Sequence, residues 1–102
     1  MPLHDDEIRA ALTDLPDWRA FANALHKDFR FRGFRAAIAF VDRVAAQSIA
    51  AAHHPRIEIA SDRVMLTLTT SDEGGITERD VALAHAIERV REPSEEGAAS
   101  TG

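Results

Sequence analysis

The sequence predicts an α+β domain: a four-stranded antiparallel sheet with three helices on one face. Three observations carry this. Two stretches, 25–31 and 63–70, alternate apolar and polar residues with a period of two, and each has a shorter strand-like neighbour. Three other segments repeat apolar residues at helical spacing. Their order is helix, two strands, helix, two strands, helix, and helices on one face of an antiparallel sheet are the natural packing for that order. Such a sheet leaves edges that must be blunted or paired with another subunit.

Residues 5–15 form the first predicted helix. Asp5, Asp6 and Glu7 lie in its first turn, where acids favour the positive end of the helix dipole. Ile8, Ala11, Leu12 and Leu15 follow at helical spacing, and Pro16 stops it. Residues 18–31 read as a strand pair turning at Ala22-Asn23-Ala24, with Leu25, Lys27, Phe29 and Phe31 on one parity. Gly33 separates this pair from a helix over 34–52. Its expected apolar stripe is Phe34, Ala37, Ile38, Val41, Val44, Ala45, Ser48, Ile49 and Ala52. Ala39, Ala46 and Ala50 on the other side could pack closely on a partner or could form a plain exposed face, since alanine is the best helix former.

His53-His54-Pro55 closes that helix. Residues 56–60 alternate, with Ile57 and Ile59 on one side, and Ser61-Asp62 is a turn. Residues 63–70 alternate again, with Val64, Leu66 and Leu68 facing one way. Ser71 to Gly75 is a loop, and the last helix spans about 77–91, with Val81, Leu83, Ala84, Ile87 and Val90 apolar. The tail from Glu92 to Gly102 has no large apolar residue and is expected to be disordered, leaving one domain over 1–91.

Composition narrows the function classes. A chain of 102 residues is one domain and buries about two-thirds of its unfolded surface, enough for a core without staples. It has no cysteine, which excludes disulfides, thiolate nucleophiles and Cys-type zinc sites. No apolar run approaches a membrane span, and the acidic N-terminus lacks the charged start of a signal peptide, so the cytoplasm is the expected compartment. A formal net charge of -5 argues against direct nucleic-acid binding.

Five histidines could carry chemistry: His4, His26, His53, His54 and His85. Only the adjacent pair His53-His54 stands out. Neighbours on a helix point about 100° apart, so the two cannot hold one small ion from the helix, and no third or fourth ligand has zinc-site spacing. The plainer reading is a histidine favoured at a helix C-terminus before an ordinary proline stop. Thr77-Glu78-Arg79-Asp80 opens the last helix, and there the plainer reading is a cap with Thr77 at its start. Yet Asp80 precedes Leu83 and Ala84 by three and four, in line with the buried stripe. Gly74-Gly75 lacks the spaced glycines and lysine of a phosphate loop, and Ser71 has no evident base for nucleophilic work.

Taken together, His53-His54-Pro55, the strand ending Thr67-Leu68-Thr69-Thr70, Gly74-Gly75-Ile76-Thr77-Glu78-Arg79-Asp80 and Ala82-Leu83-Ala84 resemble the pterin-4a-carbinolamine dehydratase family, also known as dimerisation cofactors of a homeodomain transcription factor. Trp18 and the Phe29, Phe31, Phe34 run agree, and the resemblance covers about residues 17–90. It implies the same sheet-and-helix fold, assembled as a homodimer or homotetramer. It also implies elimination of water from a 4a-hydroxytetrahydropterin to give the quinonoid dihydropterin, with no cofactor and no metal. His53 and His54 would be the acid/base pair, Asp80 the supporting carboxylate, and Thr70-Ser71 a pterin contact. Imidazole suits such work because its unperturbed pKa, ~6.5, lies near the operating pH.

Three departures from the family pattern stand beside the matches. A third active-site histidine usual in the family is Ser71 here, a charged position is Ile49, and 56–61 contains no aromatic. A hydroxyl does not titrate near neutral pH, so the resemblance implies weakened activity, by about 10²–10⁴-fold if the missing histidine moved a proton. The alternative implied by the same family is a non-catalytic, protein-binding member, such as a carboxysome-associated Rubisco assembly factor.

Overall fold

The computed structural model describes residues 1–97. The chain runs through α1 (Asp5–Leu12), β1 (Arg19–Phe21), β2 (Ala24–Arg30), α2 (Phe34–Ala51), β3 (Arg56–Ala60), β4 (Arg63–Leu68), a 3₁₀ turn (Ser71–Glu73) and α3 (Glu78–Arg89). The four strands form one antiparallel sheet in the order β1-β2-β4-β3. Leu25 lies opposite Leu68, Lys27 opposite Leu66 and Phe29 opposite Val64. All six are buried, so the predicted parities meet on one face. The other face carries Asp28 and Arg63, paired at 2.8 Å. The helices cover the first face, and Phe40, Val44, Leu83 and Ile87 complete the core.

Several boundaries differ from the sequence expectation for local reasons. α1 ends at Leu12, not Leu15, because the next amides bond three residues back instead of four and tighten the chain toward Pro16. The first hairpin turns on Ala22 and Asn23 alone, both at positive φ (51° and 61°), and Ala24 already pairs with Phe21. β4 ends at Leu68, although Thr70 still bridges Gly75.

The stripe of α2 is rotated from its predicted position. Its buried residues are Ala37, Phe40, Val44 and Ser48, whereas Phe34 is 61% exposed and Ile49 71% exposed. Apolar residues almost encircle this helix, so periodicity alone does not select the inward side. Ile57 and Ile59 do share the core-side face, paired with Leu66 and Val64. But β3 is an edge strand lying beyond the cover of α2, which packs on β4, and Ile59 stays 39% exposed.

The tail was expected to be disordered from Glu92 onward; of that stretch, 98–102 lie outside the described residues. Residues 92–97 instead turn back on the domain. The Arg32 amide donates to the Glu95 carbonyl at 3.0 Å, Arg43 pairs with the Glu95 carboxylate at 2.6 Å, and Arg91 grips Glu96. Charge pairing over long sequence separation orders a segment whose composition offers no apolar anchor.

Lys27 lies on the buried parity, 5% exposed, and survives there through its partners. Its Nζ donates to the Pro16 carbonyl at 3.0 Å and to Glu88 at 2.8 Å, and it sits 4.8 Å from the Phe29 ring centre. Trp18 Nε1 and Arg91 also donate to Glu88. Burial pushes the Glu88 carboxyl up, but the hydrogen bonds from Lys27, Arg91 and Trp18 outweigh it and hold the group below its ordinary value of 4.5. A lowered folded-state pKa supplies stability above the unfolded value and loses it as pH falls through the folded one. Glu88→Gln is therefore expected to lower the urea midpoint at neutral pH, with the gap to the native protein closing as pH drops below about 4.5. Trp18 fluorescence would follow both curves; a gap independent of pH would refute this account.

Candidate functional site

The site begins with the end of α2. Ala52 takes the left-handed conformation (φ 51°, ψ 40°), and the His53 amide reaches back to the Ser48 carbonyl at 3.1 Å. This six-to-one closure turns the chain sharply after the last helical residue. As a result the two adjacent histidines part company: His53 is buried and His54 exposed. Pro55 then carries the chain into β3.

Asp80 arrives from the other side, on the first turn of α3. Thr77 caps that helix, its hydroxyl accepting from the Arg79 amide at 3.2 Å, while Asp80 Oδ2 accepts from the Thr77 amide at 2.9 Å. This is the predicted cap, with one difference of consequence: Asp80 is fully buried. A carboxylate without water needs partners, and it has them. His53 Nε2 lies 2.5 Å from Oδ1, and the Thr70 hydroxyl donates to Oδ2 at 2.8 Å. Thr70 reaches this position because its backbone pairs with Gly75, closing the 3₁₀ turn, whose C-terminal Gly74 is left-handed at φ 83°. An added Cβ at Gly74 would strain that torsion.

Of the sequence-predicted residues, His53, Asp80 and Thr70 therefore meet in one hydrogen-bonded cluster. His54 and Ser71 are both exposed, and neither makes a side-chain hydrogen bond among the described residues. Thr77, foreseen only as a cap, joins the cluster: its hydroxyl lies 2.8 Å from that of Thr70. No buried side-chain nitrogen or oxygen in the described residues lacks a partner. His53 Nδ1 makes no hydrogen bond among the described residues, so it is not sealed from solvent.

His53 also lines a groove of about 380 Å³ between α2 and α3. Ala50, Ala51, Ala82 and Ala86 contribute small side chains to it, and Gln47, Arg79 and Arg89 contribute polar ones. The Arg79 guanidinium donates to the Ala52 carbonyl at 3.2 Å, tying the two helix ends together. Part of the alanine face of α2 is thus a groove wall. Arg79 and Arg89 carried no sequence signal beyond being charged residues of a helix. Among the described residues, no three His, Cys, Asp or Glu side chains are grouped to hold a metal ion, and no helix is long and apolar enough to cross a membrane.

Chemically, a buried carboxylate paired with an imidazole fixes the ring's orientation and its tautomer. The fold and the cluster together define a small α+β protein with a buried His–Asp pair at the meeting of a helix end and a helix start. The family model of pterin 4 alpha carbinolamine dehydratase matches residues 1–90, and the chain belongs to that family. A Chloroflexus aurantiacus protein provisionally named pterin-4-alpha-carbinolamine dehydratase is 49% identical over 88 residues, 86% of this chain and 95% of its own. A Thermomicrobium roseum protein of the same provisional name is 47% identical, over 83% of this chain and 91% of its own. Among solved structures, a transcriptional coactivator/pterin dehydratase from Brucella melitensis superposes with a TM-score of 0.85 at 30% identity, covering 90% of this chain and 100% of that one. A pterin dehydratase-like protein identified as a RuBisCO assembly factor in the alpha-carboxysome superposes with a TM-score of 0.58 at 27% identity, covering 71% and 83%.

Proposed function

We propose that this chain is a 4a-hydroxytetrahydropterin dehydratase, a hydro-lyase that needs neither cofactor nor metal. The observation that carries the reading is the buried His53–Asp80 pair at 2.5 Å, with the exposed His54 beside it. In the reaction the C4a–oxygen bond breaks, the leaving hydroxyl takes up a proton, and the N5 proton is lost. The products are water and the quinonoid dihydropterin. Asp80 holds the His53 ring, which accepts the N5 proton; His54 serves as the acid for the hydroxyl. Thr70 acts through Asp80, and Ser71, on the exposed turn after Thr70, supplies a neutral pterin contact without moving a proton.

The reading is tested by turnover of freshly generated 4a-hydroxytetrahydropterin. Native protein is expected to exceed the spontaneous rate, and His53→Ala or His54→Ala to lose about 10²–10⁴-fold. Ser71→His is expected to raise the rate by restoring a titratable group. No activity in any variant would sink the dehydratase reading.

The alternative is a non-catalytic, protein-binding role, such as Rubisco assembly. It is favoured by the carboxysome structural neighbour and by the lack of a titratable side chain at Ser71. Silence of the native protein with a gain in Ser71→His would select it. In either case we place the chain in the cytoplasm as a homodimer or homotetramer. The exposed Phe34 and Ile49 on α2 and the open edge of β3 support self-association.

A further inference from the structure

We propose that Thr70 and Thr77 are positioning residues of the His53–Asp80 pair, joined in a one-way hydroxyl chain that keeps the proton on His53 Nε2 and leaves Nδ1 to exchange protons. Their part in turnover rests on the dehydratase reading; the proton arrangement rests on geometry alone.

Counting protons fixes the direction. Asp80 Oδ2 receives the Thr77 amide and the Thr70 hydroxyl, at 2.9 and 2.8 Å. Thr70 has one hydroxyl proton, and it is spent on Asp80. The 2.8 Å contact between the two threonine hydroxyls must then use the proton of Thr77. The Thr77 oxygen is in turn an acceptor, from the Arg79 amide. Every proton in the chain thus runs toward Asp80. Reversing it would require a protonated Asp80 donating to Thr70, while the Thr77 amide already occupies the same oxygen. At Oδ2 the cluster offers Asp80 donors only, the arrangement that suits a carboxylate. Oδ1 is therefore an acceptor, and Nε2 of His53 its donor. In the neutral ring the remaining nitrogen, Nδ1, is then the free acceptor.

A helix cap alone would not need this. Thr77 and Asp80 complete the cap by themselves, whereas Thr70 comes from the strand side of the loop and adds two hydrogen bonds to that cap. Its hydroxyl shares the charge of Asp80. Removing it concentrates that charge on the side chain His53 faces, and so strengthens the bond from Nε2. The other charged and titratable groups near His53 are Arg79, which bonds the Ala52 carbonyl, Arg89 along the groove, and the neighbouring His54; among the described residues none of them hydrogen-bonds to Thr70.

The test is ¹⁵N NMR of the His53 ring in the unliganded full chain, reading the tautomer and the Nε2–H proton resonance, in native protein, Thr70→Val, Thr70→Ser and Thr77→Val. The native ring should carry its proton on Nε2. Thr70→Val should move the Nε2–H proton resonance downfield, because the Asp80 charge then leans more on that one bond. Thr70→Ser should restore it, and Thr77→Val should move it the same way by less. A native ring protonated on Nδ1 would overturn the proposal. So would a Thr70→Val Nε2–H resonance identical to native with only the melting temperature changed. Should Thr70→Val not fold, an unshifted Thr77→Val has the same force. Because no substrate is present, a failed dehydratase assay leaves this result standing.

Discussion

Asp80→Asn is expected to fold and to lose dehydratase turnover by about 10²–10⁴-fold. The amide oxygen can still accept from the Thr77 amide and the Thr70 hydroxyl, which hold Oδ2 in the native cluster. The amide nitrogen then faces His53 Nε2, where Oδ1 was. Two N–H groups cannot face each other, so the ring proton must move to Nδ1, the nitrogen that is the base in the proposed reaction. The helix cap survives while the proton sits in the wrong place. Asp80→Ala should do more damage, because it leaves buried donors unpaired at about 1–3 kcal/mol each. Steady-state rates with a melt of each variant separate the two effects. Asparagine activity within a few-fold of native would show that Asp80 is only a cap.

Phe40→Ala should have the largest effect on stability. Phe40 is fully buried, with the rings of Phe29 and Phe31 at 4.7 and 5.0 Å between centres and the Arg43 guanidinium 6.0 Å from its own. Truncation removes a face of the core that both β2 and α2 share, and such changes cost about 3–5 kcal/mol. Against a typical total of about 5–15 kcal/mol this is a large fraction. The melting temperature should fall by roughly 12–40 °C for a domain of this size. A loss under about 1 kcal/mol would mean that the ring is not central to the core.

What could be read from the sequence followed from local periodicity. The parity of Leu25, Lys27, Phe29 and Phe31, and that of Val64, Leu66 and Leu68, set the buried sheet face, because a strand has only two sides. The inward lean of Asp80 was legible too, from its spacing to Leu83 and Ala84. Phe40 was not, since α2 is apolar over most of its circumference and tertiary cover chooses among its faces. Alternation likewise cannot tell an edge strand from a central one, which hid the exposure of Ile59. The turn at 93–95 depends on Arg32 and Arg43, far away in sequence. The bond from Thr70 to Asp80 was hidden for the same reason, since it exists only once Gly75 has closed the loop.

The left-handed turn at Ala52 makes the order of the candidate site a property of one backbone amide. The same closure that sends His53 inward ties its N–H to the Ser48 carbonyl. Whenever the last turn of α2 frays, that bond opens and the imidazole leaves Asp80. The exchange of this single amide hydrogen with deuterated solvent therefore clocks how often the site comes apart, in the resting protein and without any ligand.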